Sequence, residues 1–383
     1  MSTSSKKIKI TCVISSLAGG GAERAMVNLA TSLCDRGYEI TLFTLYPQIP
    51  DIYTIPQKIK RVYPSPTPDG WQRWFDLKGQ VKRAKRIWKR TFLLRTDIVN
   101  TKPDLIISFI DITNVLIIRT LVGTKIPIIA TERSDFRYHK IPTHWVIMRL
   151  IFYPLAIKII VQTEELKNWV KKRFYPWNIT VIPNPVFLID CSSGSLKPEF
   201  FRTGNNIVAV GRLAPVKGFN LLIDAFATIA SEFPNWYLTI LGEGECRREL
   251  EAQIQKLNLE KKVNLPGRIP EPTKILGYAD LFVLTSQYEG FPNALLEAMS
   301  CGLAPISFDC PSGPRAIIRN GIDGILVPPN NVAQLSQAMA ELMRNDEKRK
   351  QLAMKAKEVL DRFSQDKVMD IWEQVIAEAL KIS

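Results

Sequence analysis

The sequence predicts an α/β protein with two doubly wound domains that face each other across a cleft. Strand-like apolar runs alternate with helical patterns along the whole chain, and this alternation is typical of parallel sheets covered by helices. The 383 residues are enough for two domains of ordinary size, each with its own core. Phe187–Thr203, which contains serines, a glycine and a proline, is the best candidate for the linker between them.

Two sets of six strands are predicted. In the first half they lie near Ile8–Ser15, Glu39–Leu45, Leu105–Ser108, Ile126–Thr131, Lys158–Gln162 and Thr180–Ile182. In the second half they lie near Asn206–Val210, Trp236–Leu241, Val263–Leu265, Leu281–Leu284, Ala304–Ser307 and Gly324–Val327. The clearest helices between them are Ala22–Arg36, Asn220–Phe233, Cys246–Leu257 and Pro292–Ser300. Doubly wound sheets bind ligands beyond the C-terminal ends of their strands, so the chemistry is expected there.

Composition narrows the class of protein. Hydrophobic residues make up 46% of the chain and charged residues 23%, which is a globular composition. His139 and His144 are the only histidines, and the six cysteines form no CxxC pair, so a multi-histidine metal site is not expected. Reduced thiols in a cytosol fit this pattern better than a disulfide framework. The longest apolar run, Val146–Val161, is interrupted by charged residues and a proline and does not predict a transmembrane helix.

The net charge of +14 is concentrated in one half of the chain. Residues 1–190 contain 29 Lys and Arg against 14 Asp and Glu, whereas the remainder contains 22 against 23. This asymmetry favours an anionic partner for the first half. Membrane lipid, a polyphosphate headgroup and nucleic acid all meet that description.

A glycine run, Gly19-Gly20-Gly21, follows the first predicted strand and opens a helix. Glycines let the backbone approach a bound group closely, and a helix N-terminus offers free N–H groups to an anion. The spacing differs from the dinucleotide fingerprint G-x-G-x-x-G, which argues against a nicotinamide oxidoreductase. A phosphate or sugar contact is the functional interpretation, and a plain tight turn is the alternative.

Two cations stand five residues apart where the second half begins its strand and helix alternation. Arg212 ends the first strand there, and Lys217 opens the next helix. Arginine offers a planar fork and lysine a point charge, and together they suit a diphosphate. A solvated basic loop is the alternative.

The segment from Glu289 to Glu297 is the strongest motif. It follows the predicted buried strand Leu281–Leu284 and leads into a helix at Pro292, a favourable first-turn residue. Backbone N–H groups from Gly290 onward would point at an anion. Glu297, inside the helix, is placed to accept hydrogen bonds from ribose hydroxyls. The alternative makes both glutamates ordinary helix-end and surface charges.

These motifs resemble glycosyltransferase family 4, the group 1 type of retaining enzymes with the GT-B fold of two Rossmann-like domains. The match runs in order and spacing through Gly211-Arg212, Lys217-Gly218, Leu241-Gly242-Glu243-Gly244, Gly267, Glu289 to Glu297, Ala298-Met299 and Cys301-Gly302. Within the family the chain is most similar to enzymes that extend lipid-linked or surface-polysaccharide glycans. Ser108-Phe109 through Asn114, Thr131-Glu132-Arg133 and Ser312-Gly313-Pro314-Arg315 support that subgroup.

The resemblance implies a division of labour. Residues 1–190 would bind the acceptor, residues 191–364 the nucleotide-sugar donor, and a final helix over 365–383 would pack back on the first domain. Residues implied in catalysis are Arg212, Lys217, Glu289, Glu132 and Arg133. Residues implied in donor binding are Gly19, Gly20, Gly21, Gly211, Gly242, Arg268, Gly290, Phe291, Pro292, Asn293, Ala294 and Glu297. Cationic groups placed where the diphosphate departs would make a metal unnecessary, and no cofactor is expected.

One departure from the family concerns a histidine. Many relatives carry it after the fourth strand of the first domain, where this chain has Thr131-Glu132-Arg133. Glu132 would orient the acceptor or carry its proton, and Arg133 would meet phosphate; either is equally explained as half of a structural ion pair. No second carboxylate stands out as a covalent nucleophile, so the resemblance implies front-face transfer assisted by the leaving phosphate.

The basic half contains an aromatic stretch from Trp71 to Arg95. Tryptophan, phenylalanine and aliphatic residues alternate there with lysine and arginine, a composition suited to the headgroup region of an anionic membrane. Arg137–Lys158 repeats the theme less cleanly. A solvated helix with an ordinary packed face is the alternative. No DNA- or RNA-binding motif accompanies the charge, so nucleic acid is not expected as a partner.

The expected function is transfer of a hexose or N-acetylhexosamine from a nucleotide sugar, with UDP as the expected nucleotide, to a glycan acceptor. The acceptor is expected to be linked to polyprenyl diphosphate, and the protein to lie in the cytoplasm as a peripheral protein on the inner face of the cytoplasmic membrane. A transferase with a soluble acceptor, or a non-catalytic nucleotide-sugar-binding protein, is the alternative.

Overall fold

The computed structural model describes residues 7–66, 80–174, 177–187 and 198–382. The chain divides into two compact units, one formed by Met1–Ile182 with Met369–Ser383 and the other by Pro183–Val368. The expected boundary lay at residue 190, and residues 188–197 of the predicted linker Phe187–Thr203 lie outside the described residues.

The N-terminal unit is a parallel sheet with helices around it. Its strands are Lys9–Ile14 (β1), Glu39–Thr44 (β2), Lys60–Val62 (β3), Leu105–Phe109 (β4), Ile128–Thr131 (β5), Lys158–Val161 (β6) and Ile179–Val181 (β7). Its helices are Gly21–Asp35 (α1), Gln80–Asn100 (α2), Asp111–Thr120 (α3), Thr143–Phe152 (α4) and Glu164–Lys171 (α5). The strand order is β3-β2-β1-β4-β5-β6-β7, so the winding reverses between β1 and β4.

The C-terminal unit has the same architecture. Its strands are Asn205–Val210 (β8), Trp236–Leu241 (β9), Val263–Gly267 (β10), Leu281–Leu284 (β11), Ala304–Phe308 (β12) and Ile325–Val327 (β13). Its helices are Phe219–Ala227 (α6), Arg247–Lys256 (α7), Thr273–Leu276 (α8), Asn293–Ser300 (α9), Gly313–Ile317 (α10), Val332–Arg344 (α11), Asp346–Ala356 (α12) and Val359–Arg362 (α13). The strand order β10-β9-β8-β11-β12-β13 reverses between β8 and β11.

Central strands are buried on both faces because helices cover both sides of each sheet. Every residue of β4, β5, β11 and β12 is buried. These are the strands that read as continuous apolar runs in the sequence. The edge strand β3 was not predicted, because its sequence, Lys60-Arg61-Val62, contains no apolar run.

The last helix, Gln365–Ile382 (α14), extends into the segment that belongs with the N-terminal unit. Arg36, just past the end of α1, holds it through two carboxylates: Nη1 lies 2.7 Å from Asp370 Oδ1 and 2.6 Å from Glu373 Oε2. Lys158 Nζ lies 3.1 Å from Glu378 Oε2. Trp372, on the apolar face of the helix, is buried.

Three further predictions from the sequence concern the aromatic stretch, the cysteines and transmembrane helices. Of the stretch Trp71–Arg95, residues 71–79 lie outside the described residues, and α2 begins at Gln80. Cys12, Cys34, Cys246 and Cys310 are free thiols, whereas Cys301 is disulfide-bonded, so the expectation of reduced thiols is wrong at that residue. Within the described ranges, no helix is long and apolar enough to cross a membrane.

Candidate active site

The C-terminal unit gathers the strongest motifs at one edge of its sheet. Gly211 and Arg212 follow β8, and the segment beginning at Glu289 follows β11. These two strands are neighbours at the point where the winding reverses. Open α/β sheets bind ligands outside the carboxyl ends of such strands, because the helices that follow them diverge to opposite faces and leave a crevice.

Lys217 and Glu289 form an ion pair in this crevice. Lys217 Nζ lies 2.6 Å from Glu289 Oε1, and both side chains are largely buried. Ser286 Oγ donates a second hydrogen bond of 2.6 Å to the same carboxylate oxygen. The backbone is fixed as well, since Thr285 Oγ1 donates to the Lys217 carbonyl at 2.9 Å. A cation and a carboxylate that the sequence places 72 residues apart are thus presented together.

Glycines allow the strand ends to approach each other closely at two positions. Gly218 has φ +60°, and a Cβ there would lie 2.3 Å from the Thr285 carbonyl oxygen. Gly242 has φ +156°, and a Cβ there would lie 1.8 Å from the Gly211 carbonyl oxygen. Gly218 and Gly242 are therefore required for packing alone, and Gly242 has this structural reason in addition to its expected donor contact.

The helix α9 presents its N-terminus at the same edge. Its N-cap residue is Pro292, whose side chain makes no capping hydrogen bond to the first N–H groups. Asn184 Nδ2 braces the turn by donating to Phe291 O at 3.2 Å and to Asn293 Oδ1 at 2.7 Å. The uncapped amides of a helix start carry a partial positive charge that favours an anion. Asn293 and Ala294 supply those first amides.

The remaining donor residues of the sequence prediction lie near the same strand ends. Arg212 is exposed two residues past the end of β8, and Arg268 is exposed directly after β10. Phe291 is buried and packs edge-on against Phe363, with ring centroids 5.4 Å apart. Glu297 is half-buried in the second turn of α9.

Two polar neighbours of Glu289 were not predicted from the sequence. Ser286 donates to its carboxylate, and Cys310 is a buried thiol whose pKa is raised mainly by burial and further by the negative charge of Glu289. Ser286 stands two residues past the end of β11, a position that could have drawn attention to it. Cys310 follows β12 and carries no comparable signal.

The glycine run of the N-terminal unit forms the start of α1. Gly19 has φ +103°, and Gly20 is the N-cap. Tyr53 Oη donates to the Gly20 carbonyl at 3.0 Å. A Cβ on Gly20 would lie 2.2 Å from Glu23 Oε2, so the glutamate of the first turn folds back over this loop. The loop follows β1, one of the two strands at which this sheet reverses.

Glu132 and Arg133 follow β5, but neither charged group is exposed to solvent on its own: both contact neighbouring side chains. Glu132 is 1% exposed, receives a hydrogen bond from Tyr153 Oη and lies 3.7 Å from Arg149 Nε. Burial raises the pKa of the Glu132 carboxyl. The Arg133 guanidinium stacks on the Phe109 ring at 3.9 Å from its centroid. Glu132 therefore forms a structural ion pair with Arg149, which was the alternative to its expected role at the acceptor.

A histidine does stand at this edge of the N-terminal sheet, although it comes from a later loop. His139 Nδ1 lies 2.9 Å from Asp111 Oδ2, and Arg149 Nη2 lies 3.2 Å from the same oxygen. The hydrogen bond to Asp111 raises the pKa of His139. Asp111 begins α3 just after β4, and Ile110 between them has φ +75°. No local spacing links residues 111 and 139, so this pair could not be predicted from the sequence.

Comparisons with known proteins follow the same division. The family model described as glycosyl transferases group 1 matches residues 196–359, and the model described as glycosyltransferase family 4 matches residues 19–188. An uncharacterized glycosyltransferase of Methanocaldococcus jannaschii is 31% identical over 304 residues, covering 70% of this chain and 74% of that protein. The GalNAc-alpha-(1->4)-GalNAc-alpha-(1->3)-diNAcBac-PP-undecaprenol alpha-1,4-N-acetyl-D-galactosaminyltransferase of Campylobacter jejuni is 29% identical, covering 97% of this chain and 99% of that protein.

Solved structures show the same fold at low sequence identity. Sucrose-phosphate synthase from Thermosynechococcus elongatus superposes with a TM-score of 0.81 at 17% identity, covering 98% of this chain and all of that one. HepE of Anabaena in complex with UDP and glucose superposes with a TM-score of 0.76 at 19% identity, with the same coverage. The chain has the GT-B fold and belongs to glycosyltransferase family 4.

Proposed function

We propose that this glycosyltransferase is a retaining enzyme that moves a hexose or N-acetylhexosamine from a UDP-sugar to a polyprenyl-diphosphate-linked glycan at the inner face of the cytoplasmic membrane. The observation that carries the donor half of this proposal is the Lys217–Glu289 pair beside the N-terminus of α9. The cation and the first amides of α9 suit the diphosphate of a nucleotide sugar, and the carboxylate suits the hydroxyls of its sugar.

The leaving diphosphate would be stabilised by positive groups. The bond between the anomeric carbon and the phosphate oxygen breaks, and negative charge develops on the nucleotide diphosphate. Lys217, the exposed Arg212 and the first amides of α9 would neutralise that charge, which is a large contribution to catalysis in a site shielded from water. These groups would also make a metal ion unnecessary for the step.

Glu289 and Glu297 would hold the rest of the donor. Glu289 has a second carboxylate oxygen beside the one that accepts from Lys217 and Ser286, and we assign it to hydroxyls of the transferred sugar. Glu297, half-buried in α9, would accept from the ribose hydroxyls. The acceptor oxygen would attack on the face that the diphosphate leaves, and its proton would pass to the leaving phosphate oxygen.

The acceptor is assigned from the relatives and from charge. The Campylobacter jejuni relative acts, by its name, on a glycan carried by PP-undecaprenol. The excess positive charge of residues 1–190 suits such a diphosphate and the membrane around it. Glu132 and Arg133 are proposed to serve the acceptor; because Glu132 is buried, it would act by positioning Arg149 and Tyr153.

The donor site is tested by comparing two ion pairs of the C-terminal unit. Lys217→Ala should lower kcat about 100- to 1000-fold with the best of a panel of nucleotide sugars, because one charge that stabilises the leaving group is lost. Glu289→Gln should cost about 10- to 100-fold, the size of a charged hydrogen bond. Release of the nucleotide is the measurement.

Lys274→Ala and Glu271→Gln are the matched controls. These residues form an exposed pair at 2.7 Å, and surface pairs contribute little. Full activity of Lys217→Ala or Glu289→Gln would refute the site assignment. If no nucleotide sugar is hydrolysed or transferred although one binds, the protein is the non-catalytic binder.

Three further measurements address the mechanism and the acceptor. The anomeric proton coupling in the NMR spectrum of the product should show the donor's own configuration, and an inverted product would exclude retention. Initial rates should be unchanged by EDTA. Transfer to a polyprenyl-diphosphate-linked oligosaccharide should exceed transfer to the same oligosaccharide free in solution, and equal rates would favour the soluble-acceptor alternative.

A further inference from the structure

The helix α4 exposes a continuous apolar side. Five large aliphatic residues in this helix and the turn that follows it are between 39% and 59% exposed. They are Val146, Ile147, Leu150, Ile151 and Leu155. Their spacing of three and four residues places most of them on one side of the helix. Contiguous exposed aliphatic residues on a folded chain mark a contact surface, whereas single ones do not.

The opposite side of α4 is anchored in the N-terminal unit. Trp145, Arg149 and Tyr153 are all less than 10% exposed. Arg149 is held by Asp111 at 3.2 Å and lies 3.7 Å from Glu132. Turning the apolar side inward would pull this buried arginine away from its carboxylates, which is costly. The helix is therefore fixed with its apolar side outward.

The charge around α4 identifies the kind of surface that would cover it. No Asp or Glu occurs between Phe136 and Thr163, whereas Lys140 and His144 are exposed beside the apolar residues. A helix with outward aliphatic residues and basic neighbours suits the boundary between the headgroups and acyl chains of an anionic bilayer. Its ten residues span about 15 Å, which allows it to lie in that boundary and not to cross the bilayer.

We propose that the apolar side of α4, formed by Val146, Ile147, Leu150, Ile151 and Leu155, docks this protein on an anionic bilayer. Isoleucine and leucine side chains enter the acyl boundary, and Lys140 with His144 meets the lipid phosphates. The proposal rests on the proposed function only in that a lipid-linked acceptor explains why such docking would be useful; the docking itself involves neither donor nor acceptor.

The test measures binding of the full chain to vesicles, without sugar substrates. Wild type should co-sediment with vesicles containing 30% phosphatidylglycerol and bind phosphatidylcholine vesicles much less. Ile147→Glu with Ile151→Glu should weaken binding to the anionic vesicles about tenfold or more. Two side chains that enter the acyl boundary are lost, and two negative charges that the lipid phosphates repel are added. The control is Ile322→Glu with Met354→Glu, which makes the same change at two exposed apolar residues of the other unit and should bind as wild type does.

Each other outcome would overturn the docking proposal. No binding of the wild type, equal binding to phosphatidylcholine, or equal loss in both double variants would exclude it. A wild-type dimer that Ile147→Glu with Ile151→Glu converts to monomers in sedimentation would show that a second copy covers the face instead. Nucleotide-sugar hydrolysis, measured in solution, should be unchanged in the Ile147→Glu, Ile151→Glu variant; this confirms that it is folded and keeps a failure of docking separate from a failure of the proposed function.

Discussion

At the residue scale, the proposed donor site contains a lysine that already has an anionic neighbour. Lys217 is paired with Glu289 at 2.6 Å with both side chains largely buried. Removing one member of such a pair leaves an uncompensated charge, which costs more than the pair itself contributes. The pair therefore holds the lysine in place, so that little reorganisation is needed when a diphosphate binds.

Substitutions at Gly218 and Gly321 distinguish the cost of steric overlap from the cost of backbone strain. Gly218→Ala introduces a Cβ 2.3 Å from the Thr285 carbonyl oxygen at φ +60°. The left-handed conformation costs about 1–2 kcal/mol and the overlap about 1–3 kcal/mol more. Gly321→Ala is the control, because Gly321 has φ +77° and its Cβ would meet nothing within 4 Å. Urea unfolding should show the larger loss at Gly218, and equal losses would rule out the close approach.

The His139–Asp111 pair predicts a pH dependence of stability. The hydrogen bond to Asp111 raises the pKa of His139 in the folded chain. Its contribution to the free energy of unfolding is therefore complete below the unfolded-state pKa of about 6.5, and it is lost as the pH rises through the folded-state pKa. Asp111, Glu132 and Arg149 are the charged groups around it, and Glu132, with its raised pKa, acts in the same direction.

Comparison with His139→Gln isolates the histidine. The wild type should lose more stability between pH 6 and pH 9 than the variant does, as measured by thermal unfolding. The same slope in both proteins would show that the bond to Asp111 does not favour the charged imidazole.

Residues of the site differ in how well the sequence could reveal them. Lys217 and Glu289 stand beside glycines and strand ends, so the backbone around them leaves a pattern that sequence reasoning can read. His139 meets Asp111 across 28 residues, and only the fold of the loop after β5 brings them together. Glu132 shows the opposite problem, because a charge directly after a strand suggests a ligand contact although the side chain is buried.

At the scale of elements, buried strands were the easiest to predict. The apolar runs that gave twelve strands lie in sheets covered on both faces, where hydrophobicity is required at every position. Lys60–Val62 was missed because an edge strand of three residues needs no such run. The helix predicted over Asn220–Phe233 ends at Ala227, because the amides of Ile229 and Ala230 both turn back to the Phe226 carbonyl. Hydrophobic spacing alone does not mark such an end.

The helix α14 should stabilise the N-terminal unit although it ends the chain. Trp372 is 3% exposed and Met369–Ser383 belongs with that unit, so Trp372→Ala should cost about 3–5 kcal/mol there. Hydrogen exchange followed by mass spectrometry should show faster exchange in peptides of β1 and β2 and unchanged exchange in peptides of β8 and β9. Gln374→Ala, on the exposed side of the helix, should change neither. Faster exchange in β8 and β9 instead would contradict the assignment of α14 to the N-terminal unit.

At the scale of the whole molecule, positive charge is divided unevenly between two units of the same fold. The two units share one architecture, yet residues 1–190 carry all of the excess positive charge. Sheet packing does not require this difference, since surface charge contributes little to which fold forms. The anionic bilayer proposed to contact α4 would explain the difference, and the stretch without acidic residues around α4 lies in this basic half.

Salt should therefore separate membrane binding from donor chemistry. Between 0.1 M and 1 M salt the screening length falls from about 10 Å to about 3 Å, so attraction between the basic half and lipid phosphates is largely lost. Affinity for vesicles with 30% phosphatidylglycerol should fall about tenfold or more, leaving the weaker apolar contribution of α4. Nucleotide-sugar hydrolysis in solution should change far less, because Lys217 and Glu289 interact at 2.6 Å in a largely buried pair. If vesicle affinity were insensitive to salt, the apolar face of α4 would account for binding without the charge asymmetry. If hydrolysis fell in parallel with vesicle binding, the donor site would itself depend on long-range charge, contrary to the local stabilisation proposed for Lys217.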